Sequence, residues 1–257
     1  MIALQGIEFG YPGGEPVFER FTWRVEPGDL WAVLGPSGCG KSTLLYLLAG
    51  LRLLQAGQIL IDGKVLERPR PRTGLILQDY GLLPWATVAE NAALGLRLRR
   101  FYGPDGLHAP RDERVTEVGS RVEPWLDRLG LSAVRDSYPS QISGGQRQRT
   151  AIARTLALEP DLLLMDEPFA SLDAPTREGL QDLVLGLHTE RHLTVVLVTH
   201  AVEEAALIGR RILVLHQPPI REARIFDNPG GGAPGFRESP DYSAMITTLR
   251  RALDGGR

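Results

Sequence analysis

Short, continuous apolar runs of strand length recur along the chain. They occupy residues 30–34, 162–165, 194–198 and 212–215. A run of this kind, without alternating polar positions, is typical of a strand that a parallel sheet buries on both faces. Because polar segments of helical character separate the later runs, the pattern predicts βαβ units and an α/β fold with a mostly parallel sheet.

The N-terminal part of the chain has a looser pattern, in which strand-like segments are separated by turns. Residues 2–9 alternate loosely, residues 18–25 follow a Pro-Gly-Gly turn, and residues 58–61 end at the hairpin signal Asp62-Gly63. We expect an antiparallel β lobe here, interrupted by a glycine-rich turn and the helix that follows it.

Helical patterns dominate the middle of the chain. Residues 88–131 predict helix with a break at residues 103–106, and a further helix runs on from Gly144 to Leu158. We therefore expect a helical subdomain at about residues 88–158, inserted into a single domain of residues 1–227.

The C-terminal segment, residues 228–257, has a different composition. Glycine and proline crowd residues 228–235, which predicts a flexible linker. A short amphipathic tail follows, with apolar side chains at helical spacing at Tyr242, Met245, Leu249 and Leu253.

Composition narrows the class of protein. The 257 residues include 29 basic and 31 acidic side chains, so the basic excess typical of a nucleic-acid partner is missing and no such partner is expected. One cysteine excludes a disulfide framework and fits a reducing cytoplasm. Because no apolar stretch approaches about 18 residues, we expect the chain not to cross a membrane by itself.

The glycine-rich turn at residues 35–43 has the spacing G-x-x-x-x-G-K-[ST] between a strand and a helix. A helix start of this kind aims backbone N–H groups and the positive end of the helix dipole at a polyphosphate. Lys41 adds a cation, and the Ser42 hydroxyl is a ligand suited to Mg²⁺. The nucleotide-binding candidates here are Gly35, Pro36, Ser37, Gly38, Cys39, Gly40, Lys41, Ser42 and Thr43.

Cys39 lies at this helix start beside Lys41. Both features lower the pKa of a thiol, so we expect a reactive cysteine whose alkylation blocks nucleotide hydrolysis.

Asp166 and Glu167 directly follow the apolar run at residues 162–165. A carboxylate at the carboxyl end of a buried strand, next to a phosphate-binding turn, is placed to organise Mg²⁺, which assigns Asp166 to the metal. Glu167 is then the candidate base that polarises an attacking water.

The segment Ile142-Ser143-Gly144-Gly145-Gln146 opens another helix and offers a hydroxyl and free N–H groups to an anion. It resembles the Leu-Ser-Gly-Gly-Gln signature of the ATP-binding-cassette ATPases, with Ile142 in place of leucine. The resemblance covers about residues 4–215 and implies a P-loop NTPase fold that binds and hydrolyses ATP with Mg²⁺. It also implies a head-to-tail homodimer, in which the signature of one subunit closes over the γ-phosphate held by the other and contacts it through Ser143, Gly144, Gly145 and Gln146.

Further motifs of that family occur in order. The resemblance implies that Tyr11 stacks on adenine, that Gln78 reaches Mg²⁺ and the attacking water, and that His200 contacts the γ-phosphate. Ser171-Leu172-Asp173 resembles the D-loop, which crosses to the opposite subunit. Ala201 stands where many relatives carry aspartate.

In transporters of this family the region after Gln78 forms a groove for a short helix of a membrane permease. Here residues 80–85 are apolar and aromatic, as an anchor pocket requires. Residues 82–91 look most like the importers of nitrate, aliphatic sulfonates, taurine and pyrimidine precursors. This implies a subunit on the cytoplasmic face of the membrane, working with a permease and an extracytoplasmic solute-binding protein. An exporter ATPase and a soluble, non-transport ATPase remain as alternatives.

Overall fold

The computed structural model describes residues 2–170 and 172–254. The chain divides into two compact units. The first takes in the residues up to Pro69, Leu164–Glu167 and the residues from Val184 onward, and the second consists of Arg70–Leu163 and Pro168–Leu183.

The strands and helices are numbered in chain order. The strands are β1 (Ile2–Gly10), β2 (Pro16–Val25), β3 (Leu30–Leu34), β4 (Ala56–Ile61), β5 (Lys64–Val65), β6 (Thr73–Ile76), β7 (Leu162–Asp166), β8 (Thr194–Thr199), β9 (Arg211–Val214) and β10 (Arg224–Asp227). The helices are α1 (Lys41–Leu48), α2 (Val88–Tyr102), α3 (Gly119–Arg128), α4 (Gly144–Leu156), α5 (Ala174–Arg191), α6 (Val202–Ile208) and α7 (Pro240–Asp254). Among residues 2–170 and 172–254, none of the helices is both long and apolar enough to cross a bilayer.

The smaller sheet of the first unit is the antiparallel lobe that the sequence predicts. Its strand order is β2-β1-β4-β5, and β1 pairs antiparallel with both neighbours, so that Ile2 lies opposite Val25 and Ile61. The Asp62-Gly63 signal does form the hairpin between β4 and β5. Both residues have a positive φ, 50° and 75°, as a tight two-residue turn requires.

The larger sheet places the functional loops. Its strands in the first unit follow the order β10-β9-β3-β8-β7. β3 pairs parallel with β8 and β9, so Leu34 lies opposite Thr199 and Val214. The apolar runs are buried along their whole length in β3, β7 and β8, which confirms the prediction of a mostly parallel core. Because β3 and β8 run in the same direction, the residues after each strand emerge at one edge of the sheet.

The second unit contains β6, the helices α2 to α4 and the start of α5. α2 begins with a capping box between Thr87 and Glu90 and ends at Tyr102, where the predicted break begins. The buried Arg99 guanidinium pairs with Glu113 at 2.7 Å and donates to the Leu158 carbonyl at 2.9 Å. These bonds fasten α2 to the irregular segment before α3 and to the end of α4.

The segment at residues 228–235, for which composition predicted a flexible linker, is packed against the first unit. The buried Asn228 amide donates to the carbonyls of Ala206 and Gly209, each at 2.7 Å, and the Gly232 N–H donates to Leu207 at 2.8 Å. Its glycines serve close packing, because a Cβ on Gly231 would lie 2.2 Å from the Gly209 carbonyl oxygen. After this segment, α7 packs on α6 and buries Leu249 in a cluster that includes Leu34 and Val214.

Candidate functional site

The turn after β3 holds a buried lysine. Lys41 is the first residue of α1 and is only 5% exposed. Its ammonium donates to the carbonyls of Gly35 and Pro36, each at 2.9 Å. The turn therefore keeps a cation close to its own backbone, in the surroundings that a phosphate group requires.

Glycine is required where this turn enters α1. Gly40 has φ 99°, and a Cβ there would lie 2.7 Å from Cγ1 of Val17. Any other residue would combine a left-handed backbone with a steric clash, so the second fixed glycine of the motif has a structural cause.

Ser42 and Asp166 meet next to this lysine. The Ser42 hydroxyl donates to Oδ1 of Asp166 at 3.0 Å, and Asp166 is only 2% exposed. Burial raises the pKa of the Asp166 carboxyl and the charge of Glu167 adds to this, while the Ser42 hydrogen bond and Lys41 oppose it. The pair thus offers two hard oxygen ligands, one of them a buried carboxylate that lacks full compensation of its charge.

This donor set suits Mg²⁺. Magnesium is usually bound through one or two protein oxygens, with substrate phosphates and water completing its coordination. No cluster of three or more His, Cys, Asp or Glu side chains able to hold a metal occurs in the described part of the chain. The described residues therefore do not provide a complete metal coordination shell made of protein side chains alone.

Glu167 and His200 are in contact at the carboxyl ends of β7 and β8. Nδ1 of His200 lies 3.0 Å from Oε1 of Glu167, with the glutamate side chain 15% exposed and the imidazole 53% exposed. Glu167 has φ 46°, a left-handed conformation that costs energy for a non-glycine residue, and its N–H donates to the Val198 carbonyl at 3.0 Å. This strained backbone conformation of Glu167 accompanies the position of its carboxylate beside His200.

Two polar residues missed by the sequence analysis hold the His200 turn. The Thr199 hydroxyl donates to Oε2 of the buried Glu204 at 2.7 Å and accepts from the Ala201 N–H at 3.0 Å. The Thr199 hydroxyl thus satisfies the N–H of Ala201, the residue before α6, whose methyl side chain cannot itself cap the helix. Thr199 and Glu204 lie five residues apart on either side of His200, and nothing in the sequence indicates that their side chains meet.

Tyr11, the predicted adenine-stacking residue, belongs to the same unit as the phosphate-binding turn. Its hydroxyl lies 3.1 Å from the Thr43 hydroxyl. The Arg52 guanidinium lies 5.7 Å from the centre of the Tyr11 ring, a contact that sequence reasoning did not identify. Tyr11 is therefore tied to the start of α1, and Arg52 adds a cation beside its ring.

The other predicted nucleotide contacts belong to the second unit. Ser143 caps α4, accepting from the Gln146 N–H at 3.2 Å, while the Gln146 side chain accepts from the Ser143 N–H at 2.9 Å. This capping box fixes the start of the helix with Gly144 and Gly145 between its two ends. A Cβ on Gly145 would lie 2.8 Å from the Thr176 methyl group, so this glycine allows close packing against α5.

Asp173 and Gln78 are also in the second unit and both are exposed. Asp173 precedes α5, and its hydrogen bond with Thr176 lowers the pKa of its carboxyl. Gln78 follows β6 in a tight turn. Of the D-loop residues that the resemblance suggested, Ser171 lies outside the described residues.

The expectation for Cys39 is wrong. The thiol is fully buried, and this burial raises its pKa more than Lys41 and the nearby backbone N–H groups lower it. Sequence position identified the lowering influences correctly but could not show that the side chain points into the core.

Comparison with known proteins identifies the family of this chain. A model of the protein family described as "ABC transporter" matches residues 18–170. The chain belongs to this family, and its fold is that of a P-loop ATPase, an enzyme that binds and hydrolyses ATP. The family and the activity that the sequence motifs suggested are both confirmed.

Several relatives share most of the chain's length. The chain is 39% identical over 216 residues to the aliphatic sulfonates import ATP-binding protein SsuB of Bacillus cereus, covering 84% of this chain and 80% of that protein. It is 40% identical over 241 residues to the taurine import ATP-binding protein TauB of Escherichia coli O157:H7, covering 91% and 89%. A match to the nitrate import ATP-binding protein NrtC of Synechococcus elongatus, 42% identical, covers 82% of this chain but only 31% of that protein.

Solved structures show the same fold. A dimeric ATP-binding cassette in a post-hydrolysis state, bound to ADP and Pi, superposes with a TM-score of 0.73 at 28% identity. The match covers 88% of this chain and 98% of that one.

We predict that Asp166→Asn stabilises the nucleotide-free protein at neutral pH. Because the folded pKa lies above the ordinary value of 3.8, ionising this carboxyl costs folding free energy at pH 7, whereas the amide carries no charge and still accepts from Ser42. The variant should melt a few degrees higher at pH 7 and lose ATPase activity. The gain should shrink as the pH falls and vanish below the ordinary value, as thermal melts from pH 3.5 to 7.5 would record. Asp182→Asn, on the exposed surface of α5, is the matched control, and a pH-independent gain would contradict the prediction.

We predict that Cys39 reacts slowly with N-ethylmaleimide in the native protein. A buried thiol with a raised pKa presents little thiolate, so labelling at pH 7 should be at least ~10-fold slower than in denaturant. Because the chain has one cysteine, intact-mass spectrometry reads this site alone. Native labelling as fast as denatured labelling would restore the original expectation of a reactive thiol.

Proposed function

We propose that this ATPase drives the import of a small solute of the nitrate, sulfonate, taurine or pyrimidine-precursor class through a separate permease. The contact between Glu167 and His200, beside the buried Ser42–Asp166 pair, is the observation that carries the hydrolytic part. The transport part is supported by the relatives, whose names assign them to sulfonate, taurine and nitrate import.

In this proposal the first unit binds the nucleotide. Tyr11 stacks on the adenine, Lys41 takes the β- and γ-phosphates, and the turn residues surround the phosphates with backbone N–H groups. Ser42 and Asp166, together with Gln78, would hold Mg²⁺, which when bound neutralises phosphate charge.

Glu167 acts as the base of hydrolysis. Its carboxylate accepts a proton from the water that attacks the γ-phosphate, while His200 contacts that phosphate. The 3.0 Å contact between Nδ1 of His200 and Oε1 of Glu167 orients the carboxylate, and the Thr199–Glu204 hydrogen bond holds the turn that carries His200.

The second unit serves the nucleotide of a partner copy. We propose a head-to-tail homodimer in which Ser143, Gly144, Gly145, Gln146 and Asp173 approach the ATP that the other subunit holds. Support comes from the capping box, which gives the start of α4 a fixed shape, and from the dimeric cassette among the similar structures. ATP binding then closes the dimer, and hydrolysis reopens it.

A groove in the second unit suits a short helix of the permease. A surface cavity of about 670 Å³ lies between α2 and α3, with Ala93, Phe101 and Val122 among its apolar residues and Arg97 and Glu123 among its charged ones. Its lining residues belong to α2, to α3 with the residue before it, and to Arg135, so the cavity differs from the pocket that the sequence predicted at residues 80–85.

The segment just before α2 presents an aromatic residue to solvent. Trp85 is 73% exposed, so its indole ring is available to a partner surface, where tryptophan often contributes much of the binding energy. The fully buried Asn91 amide holds the segment, accepting from the Leu83 N–H at 2.8 Å and donating to the Ala86 carbonyl at 2.9 Å. We propose Trp85 as the anchor for the permease, which would hold the subunit at the cytoplasmic face of the membrane, with a solute-binding protein on the far side.

The proposed domain organisation keeps residues 1–227 as one ATPase domain, with a helical subdomain at about residues 88–158 and a C-terminal tail at residues 228–257. The packing of Asn228 and Leu249 supports a tail that is docked on the first unit.

We predict that Glu167→Gln binds ATP but lowers kcat at least ~100-fold, because the amide cannot accept the proton. The closed dimer should accumulate, since reopening depends on hydrolysis. Light scattering with ATP, together with a phosphate-release assay, measures both effects. Glu222→Gln, on an exposed loop, is the control and should behave as the wild type. Unimpaired turnover in Glu167→Gln would remove this residue from the role of base.

We predict that the tagged protein, purified from detergent-solubilised membranes of its native cells, retains a polytopic permease. Trp85→Ala should reduce this recovery severalfold without changing the ATPase activity of the isolated subunit, because it removes an anchor far from the phosphates in sequence. Leu53→Ala, another exposed apolar position, is the control. If the tagged protein copurifies with an exporter-type membrane protein, it is an exporter ATPase. If it is recovered only in the soluble fraction, it is a non-transport ATPase.

A further inference from the structure

The turn that carries Gln78 is tightly folded. After β6 ends at Ile76, the Tyr80 N–H donates to the Leu77 carbonyl at 3.1 Å, and the Gly81 N–H donates to the Asp79 carbonyl at 2.8 Å. Gln78 lies inside the first of these two closures. Its backbone position is therefore set by the geometry of the turn at residues 77–81.

This turn has an unfavourable backbone of its own. Tyr80 and Gly81 are both left-handed, with φ 65° and 56°. A bulky aromatic residue rarely adopts this conformation, so contacts from outside the turn must stabilise it.

Arg154 on α4 supplies such contacts. Its guanidinium donates through Nη2 to the Tyr80 carbonyl at 2.7 Å and through Nη1 to the Gly81 carbonyl at 2.5 Å. The planar fork thus binds the carbonyls of both left-handed residues at once, which an ammonium cannot reproduce. Burial lowers the pKa of this guanidinium and the charge of Asp79 opposes that effect, but the group remains a cation.

The N-terminal end of α4 also lies near the turn. A Cβ on Gly144, the first residue of α4, would lie 3.9 Å from the Tyr80 hydroxyl. Tyr80 therefore extends from the Arg154 fork toward the signature segment, and all of these contacts lie within the second unit.

We propose that Arg154 is a positioning residue for Gln78, fastening the turn at residues 77–81 to the helix that begins at the signature. The proposal rests on the role given to Gln78 under the proposed function. It assigns Arg154 no contact with ATP: the residue acts through the turn. The two hydrogen bonds of Arg154 also join the turn to α4, the helix that begins at the signature, within the second unit.

The test compares Arg154→Met and Arg154→Lys with the wild type in the full chain. Arg154→Met should lower kcat roughly 10- to 100-fold, the range expected when a catalytic group is misplaced by about 1 Å, while KM for ATP stays within about twofold. The kcat of Arg154→Lys should lie between those of the wild type and Arg154→Met, because lysine retains the positive charge but cannot bind both carbonyls as the planar guanidinium does. Arg114→Met, an exposed arginine of the same unit, is the matched control and should keep wild-type kcat.

A double-mutant cycle with Gln78→Ala shows whether Arg154 acts through Gln78. If it does, Arg154→Met should cause little further loss in the Gln78→Ala background. An equal loss in both backgrounds, or wild-type kcat in Arg154→Met, would overturn the proposal. Full activity of Gln78→Ala itself would instead remove Gln78 from the proposed function, and the present inference with it.

Hydrogen exchange gives a readout that does not need activity. In nucleotide-free Arg154→Met, the amides of Tyr80 and Gly81 should exchange at least ~10-fold faster, while amides in the middle of α4 should not change. If the methionine variant does not fold, Arg154→Lys takes its place in this measurement. Unchanged exchange at both turn amides in the folded variant would refute the positioning role.

Discussion

The buried carboxylate of Asp166 is the constraint on which the rest of the site depends. A carboxylate that is 2% exposed is unfavourable unless charge and hydrogen bonds compensate it, and here one hydroxyl and one lysine do so only in part. The divalent cation and the phosphates of the proposed function would compensate the remaining charge. The nucleotide-free fold thus keeps a charge imbalance that the proposed ligand would correct, and the left-handed backbone of Glu167 beside it adds a separate conformational cost.

Local motifs were readable from the sequence because their chemistry depends on neighbours in the chain. The turn at residues 35–43 requires a strand before it, a helix after it and a left-handed backbone at Gly40, and each of these is a short-range property. The parallel core was equally readable, since strands buried on both faces must be apolar throughout. The contact of Glu167 with His200 follows from the same logic, because both residues follow strands whose carboxyl ends meet at one edge.

What the sequence could not reveal depended on burial. Cys39 has the neighbours of a reactive thiol, but desolvation outweighs them once the side chain faces the core. Residues 228–235 have the composition of a linker, yet the Asn228 amide donates to the carbonyls of Ala206 in α6 and of Gly209 just after it, and Asn228 becomes a buried anchor. In both cases a long-range contact reversed what composition and position indicated. Thr199 and Glu204 were missed for a related reason, since a polar pair acquires meaning only when the turn between them is seen to close.

The second unit shows how polar side chains can define loops that would otherwise be mobile. Asn91 and Arg154 each satisfy backbone groups of the segment between β6 and α2, and each projects from a helix. A helix is a rigid support, so both ends of this segment take their positions from helices rather than from the loop itself. Trp85 on the surface and Gln78 in the tight turn lie within the same segment. Any displacement of α2 relative to α4 would therefore change the geometry of the segment that carries both residues.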